Sequence, residues 1–171
     1  ATTFTIWANG SEISESINVT IEVLEDTDGD AMPDSLGSHT NTGLIEDLDD
    51  DADGISDVDE FPATDSLLPD TDGDGICDGS INVTIRDVQI CEGGPDAFPT
   101  DPSAWEDTDG DGDPDNIEGN STSDPPLVED LDDDGDGIPD ENESAEGSLT
   151  DSLLPDTDGD GVCDGAINVT Y

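Results

Sequence analysis

The sequence contains no lysine, one arginine and one histidine in 171 residues. So little positive charge leaves no means of neutralising phosphates, which excludes nucleic acid and anionic lipid as partners. Aromatic residues make up 4% and hydrophobic residues 30%, too few for one apolar core of ordinary size. No apolar run is long enough to cross a bilayer, so no membrane insertion is expected in this segment. The chain opens at Ala1 without initiator methionine or charged leader and reads as a mature or excised piece. The single histidine, His39, stands in GSHTNTG and reads as part of an exposed linker. The single arginine, Arg86, is expected on the outer face of a strand, against nearby carboxylates. Carboxylate pairs can do glycosidase chemistry, but nothing in the sequence supplies a pocket for it, and no enzyme is expected.

What is present instead is acid: 49 Asp and Glu, for a formal net charge of −48. The stretch DTDGDGICDG at Asp70–Gly79 returns as DTDGDGVCDG at Asp156–Gly165. Four relatives surround these two, beginning at Asp26, Asp49, Asp107 and Asp132. Every copy places Asp at positions 1, 3, 5 and 9, and all but one place Gly at position 6. Alternate side chains converge on one point only if the backbone wraps around it, and Gly at position 6 permits the sharp turn. This is the ligand pattern of a calcium loop.

The expected ligands are therefore Asp26, Asp28, Asp30 and Asp34 in loop 1, and Asp49, Asp51, Asp53 and Asp57 in loop 2. Loop 3 offers Asp70, Asp72, Asp74 and Asp78, and loop 4 offers Asp107, Asp109, Asp111 and Asp115. Loop 5 adds Asp132, Asp134, Asp136 and Asp140, and loop 6 Asp156, Asp158, Asp160 and Asp164. Position 7 offers a carbonyl from Met32, Ile55, Ile76, Asp113, Ile138 or Val162. Position 12 is Glu60, Glu118 or Glu143 in loops 2, 4 and 5, but Gly37, Ile81 and Ile167 in the others, which take an oxygen from elsewhere or from water, or bind more weakly. Loop 1 carries Ala31 at position 6 and is expected to be the most distorted.

Two carboxylates about 4 Å apart repel by roughly 1 kcal/mol in water and about 4 kcal/mol at an effective dielectric near 20. An empty loop is thus expected to expand and a loaded one to collapse, so that metal affinity is folding free energy. With about one or two Ca²⁺ per loop, the higher count would halve the formal charge of −48.

The loops fall into blocks. Residues 1–25 form a β-hairpin, with Ile17, Val19, Ile21 and Val23 alternating with polar residues and Thr3–Ala8 as partner across Asn9-Gly10. Residues 26–79 carry three loops, residues 80–106 a strand and an aromatic linker, and residues 107–165 three more loops. Residues 166–171 restart the strand, Ile167, Val169 and Tyr171 matching Ile81, Val83 and Ile85. Corresponding loops are offset by 81, 83 and 86 residues, one duplicated block. Phe98 and Trp105 are expected to pack as a small staple between the blocks.

Of the three cysteines, Cys77 can pair with Cys91 through a connection that folds back as a strand. Cys163 is equivalent to Cys77, and its partner by register falls past Tyr171, as in a truncated window on a longer chain. An intermolecular bridge or a free thiol remain open for it. Sequons stand at Asn9, Asn18, Asn82, Asn120, Asn142 and Asn168, and with the cysteines and loops they point to a glycoprotein at an extracellular or cell-surface address.

The tandem DxDxDGxxD loops at 26–79 and 107–165, mostly with Cys or Pro after the seventh position and without flanking helices, resemble thrombospondin type 3 repeats. That resemblance implies a mostly irregular, calcium-wrapped backbone with a few short β-strands and little or no helix, tied by disulfides, in an extended rod. It implies structural or adhesive roles outside the cell. The phrases EDLDDDGDGIPDENE and CEGGPDAFPTDPSAW make the chain similar to repetitive surface proteins of archaea, and the stretch Thr3–Asp26 resembles the last two strands of an immunoglobulin-like domain. EF-hands and dockerins fit less well because Pro33, Pro114 and Pro139 follow position 7, and RTX repeats because GGxGxD is absent. The expected function is a calcium-binding structural protein forming a rod, surface stalk or fibril, with N-linked glycans and homopolymer formation by strand exchange. The alternatives are the spacer of an adhesion protein and a calcium store or mineral-nucleating protein.

Overall fold

In the computed structural model the described residues are 2–9, 14–21, 23–37, 43–145 and 147–169. His39 lies outside them. The backbone is mostly irregular, with four short strands and two single helical turns among the described residues. β1 (Thr2–Asn9) and β2 (Ser14–Ile21) pair antiparallel, Phe4 opposite Val19 and Ile6 opposite Ile17. The alternation in sequence extended to Val23, but the pairing ends at Ile21 and Val23 is 83% exposed.

The second hairpin joins β3 (Val83–Ile85) to β4 (Val88–Cys91). Its turn residues Arg86 and Asp87 both have positive φ, 52° and 64°, as a two-residue type I′ turn requires. Arg86 is therefore an exposed turn residue and not on a strand face, because the twist of the hairpin needs two left-handed residues where the strand was expected to continue. Cys77 and Cys91 form a disulfide with Cα atoms 5.0 Å apart, and with Val83 and Ile85 they make a small apolar cluster. Cys163 is a free, half-buried thiol. Ile167–Val169, the described part of the expected third strand, is irregular. Phe98 and Trp105 are half-buried, and the Ala97 N–H donates to the Trp105 carbonyl at 3.0 Å.

α1 (Asp57–Glu60) and α2 (Asp140–Glu143) each begin at position 9 of a loop. One helical turn carries the chain from Asp at position 9 to Glu at position 12 and buries Glu60 and Glu143. No described helix is long and apolar enough to cross a membrane.

The interior is inverted relative to an ordinary globular protein. Among the described residues the buried hydrophobics are Leu36, Cys77, Val83, Cys91 and Ala104, whereas Asp51, Asp53 and Asp136 are at 0% exposure and Glu60, Asp101 and Asp134 at 1%. Leu48, Phe61, Leu131 and Leu149 stand exposed. Carboxylates are almost never fully buried without a compensating partner.

Candidate metal centres

All six loops are closed by the same backbone bond, the N–H of position 9 donating to the carbonyl just before position 1. These bonds run from Asp34 to Glu25, Asp57 to Leu48, Asp78 to Pro69, Asp115 to Glu106, Asp140 to Leu131 and Asp164 to Pro155, at 2.9–3.1 Å. The position 9 carboxylate acts as a clasp. Asp34, Asp78 and Asp115 accept from both the N–H and the hydroxyl of the threonine at position 2, and Asp164 accepts from the Thr157 N–H. Asp57 and Asp140 accept the N–H of Asp50 and Asp133 at the same place.

Inside the loop, each alternate aspartate caps the N–H two residues ahead. Position 3 does so for position 5, as from Asp53 to Asp51 at 3.2 Å and from Asp74 to Asp72 at 3.2 Å. Position 5 does so for position 7, from Met32, Ile55, Ile76, Asp113, Ile138 and Val162. Asp70, Asp107 and Asp156 each cap the N–H groups at positions 4 and 6 with separate carboxylate oxygens, and Asp156 also caps that of Asp160. Each side chain is thereby fixed with oxygen facing the loop centre. Carboxylate oxygens of Asp26, Asp28 and Asp30 come within 4.8 Å of one another, as do those of Asp49, Asp51 and Asp53, of Asp70, Asp72 and Asp74, and of Asp107, Asp109 and Asp111.

Many of these inward oxygens have no partner. Asp51 Oδ2, Asp72 Oδ2, Asp74 Oδ2, Asp134 Oδ2 and Glu60 Oε2 are buried and accept no hydrogen bond. Burial, reinforced by neighbouring acids, pushes Asp51 up to about 8, Glu60 to about 7, and Asp72 and Asp134 to about 6. Anions brought together in the dry are tolerable only when protonated or when a cation sits among them. Asp101 shows the contrast. It is equally buried, but hydrogen bonds from Ser121, Ser103, Ser123 and Thr122 outweigh its burial and hold it below the usual carboxylate range.

Loops also touch in pairs. Loop 2 meets loop 3 where the Gly79 N–H donates to Asp53 Oδ2 at 2.7 Å and the Ile81 N–H to the Asp53 carbonyl at 2.8 Å. Loop 5 meets loop 6 through the same pair, Gly165 to Asp136 Oδ2 and Ile167 to the Asp136 carbonyl. A Cβ on Gly79 or Gly165 would run into that neighbouring backbone. This contact brings Asp53, Glu60 and Asp78 within 4.8 Å, a cluster drawn from two loops.

Glu118, expected to act like Glu60 and Glu143, is exposed, and its N–H donates to the Ser103 carbonyl. Loop 4 lacks the helical turn that turns the other two glutamates inward. Sequence spacing missed Asp50 and Asp133 at position 2, each buried with Oδ1 unpartnered and facing position 9 of the preceding loop, Asp34 or Asp115. Their signal was legible: loops 2 and 5 carry Asp at position 2 where the others carry Thr. Sequon residues Asn82, Asn120, Asn142 and Asn168 are exposed, while Asn9 and Asn18 lie in β1 and β2.

Comparison with family models, with curated proteins and with solved structures found no match.

Proposed function

We propose that this protein is an extracellular calcium-binding structural protein in which dications occupy the place of an apolar interior. The observation that carries this reading is the set of buried carboxylate oxygens without hydrogen-bond partners, concentrated inside the loops. Oxygen-only donor sets with a carbonyl and a carboxylate at the loop exit fit Ca²⁺, a hard cation that takes six to eight such ligands. Asp51, Asp53 and Glu60 would hold it in loop 2, and Asp134, Asp136 and Glu143 in loop 5. Bound there, Ca²⁺ cancels the repulsion within each loop. The chain's own part is to hold the carboxylates in place through the position 9 clasp and the backbone caps.

Burial favours a structural role over a calcium store, since a store gains nothing by taking its ligands out of water. Exposed sequon asparagines support N-glycosylation, and hairpins of two strands each leave edges at which a second copy can add a strand, as in a stalk or fibril. The direct test is calcium removal. Chelation is expected to abolish resistance to proteolysis and enlarge the hydrodynamic radius, with saturable, cooperative recovery on adding Ca²⁺. Unchanged digestion and radius in excess chelator would refute the reading.

A further inference from the structure

Loop 3 has no carboxylate at position 12, where Ile81 stands. The backbone turns Ile81 toward loop 2, its N–H on the Asp53 carbonyl and its side chain against Gly54. Yet Asp72 Oδ2 and Asp74 Oδ2 are buried without partners, as in a loop that is short of something.

A carboxylate from outside the loop arrives at this place. The Asp96 N–H donates to the Cys77 carbonyl at 3.0 Å, which seats Asp96 beside position 8 of loop 3. Its Oδ1 caps the N–H of Phe98 at 2.7 Å, two residues ahead, the same use that the loop aspartates make of one oxygen. Its Oδ2 is buried without a partner, and the residue is 7% exposed. The charges of Asp74, Asp72 and Asp78 face it. The approach is built into the chain. The Cys77–Cys91 disulfide and the Glu92 N–H on the Gly75 carbonyl tie the arriving segment to the loop. Gly94 passes so close to the Cys77 and Gly79 carbonyls that no Cβ would fit. A structural role does not account for Asp96, because Asp101 shows how this chain satisfies a buried acid that only holds backbone together.

We propose that Asp96 is a calcium ligand of loop 3, supplied by the segment after β4 in place of the missing position 12 carboxylate. The proposal rests on the calcium reading above and adds to it a ligand outside the DxDxDGxxD pattern.

Calorimetric titration of the full chain with CaCl₂, for wild type, Asp96→Asn and Asp87→Asn, tests it. Asp87 is an exposed turn residue, so its variant controls for the loss of one charge. Asp96→Asn is expected to weaken one site by about tenfold or more while the other sites keep their affinities, and Asp87→Asn to titrate like wild type. In wild type the backbone amide resonances of Ile76 and Phe98 are expected to shift over the same calcium range, a readout that needs no variant. A wild type that takes up no calcium overturns both readings. A wild type that binds, beside an Asp96→Asn that binds equally and a Phe98 amide indifferent to calcium, overturns this one alone.

Discussion

Each aspartate at positions 3 and 5 caps an N–H two residues ahead with one oxygen; the other is buried and unpartnered in Asp51, Asp72, Asp74 and Asp134, whereas Asp53 and Asp136 give theirs to the N–H of Gly79 and Gly165. The cap explains why aspartate and not glutamate stands there, since the shorter side chain reaches its own backbone two residues on. The wrap also needs left-handed residues at both positions 4 and 6. Glycine fills most of these places, but Ala52 takes position 4 with φ 62° and Ala31 takes position 6 with φ 81°. Loop 1 therefore keeps its wrap and its Met32-to-Asp30 cap, with the strain stored in one residue. An L-residue in that region costs roughly 1–2 kcal/mol, part of which glycine returns as unfolded-state entropy. Ala31→Gly is accordingly expected to stabilise the calcium-loaded chain by up to about 1 kcal/mol, read from the urea midpoint.

At the scale of elements, neighbouring loops are joined by backbone at one point, and the glycine there has a steric reason. Gly79 and Gly165 lie against the Asp53 and Asp136 backbone, and each donates its N–H to a position 5 carboxylate. Gly79→Ala is expected to push loop 3 off loop 2 at a cost of about 1–3 kcal/mol. It should also weaken calcium binding at Asp53, Glu60 and Asp78, a cluster that exists only while the loops touch. Proteolysis at intermediate calcium should find the first cut between loops 2 and 3 in this variant and elsewhere in wild type. The helical turns are equally local devices. Where α1 and α2 follow the loop, the position 12 glutamate is buried, and where no such turn follows, Glu118 stays in solvent.

For the whole molecule, the buried acids make stability depend on pH in opposite senses with and without metal. In the metal-free fold, burial and neighbouring carboxylates raise Asp51 to about 8 and Glu60, Asp96 and Asp133 to about 7. A carboxyl whose folded value lies above its unfolded value favours the fold fully below the unfolded value, and that contribution is lost as pH rises through the folded one. In chelator the chain is therefore expected to be most ordered near about pH 4 and to loosen between about pH 6 and 8. With calcium the ligands must be ionised, so order is expected at pH 8 and should fade as acid displaces the metal. Circular dichroism across pH in the two buffers should give curves that cross. Parallel curves would mean that the buried acids hold no cation.

The loops and the scarcity of helix were legible because each loop is a local object: alternate Asp and a left-handed turn are properties of nine consecutive residues, read directly from DxDxDGxxD. The β1–β2 pairing and the Cys77–Cys91 bridge were legible for the same reason, as partners lie close along the chain. What tertiary structure decided was which carboxylates meet across loops. Nothing in the spacing says that Asp96 reaches loop 3, that Asp78 joins Asp53 and Glu60, or that Glu118 faces away. In a chain this rich in acid, composition cannot distinguish a buried carboxylate from a solvated one. That choice is made by backbone contacts between segments, such as Asp96 on Cys77 and Gly79 on Asp53, which take specific oxygens out of water.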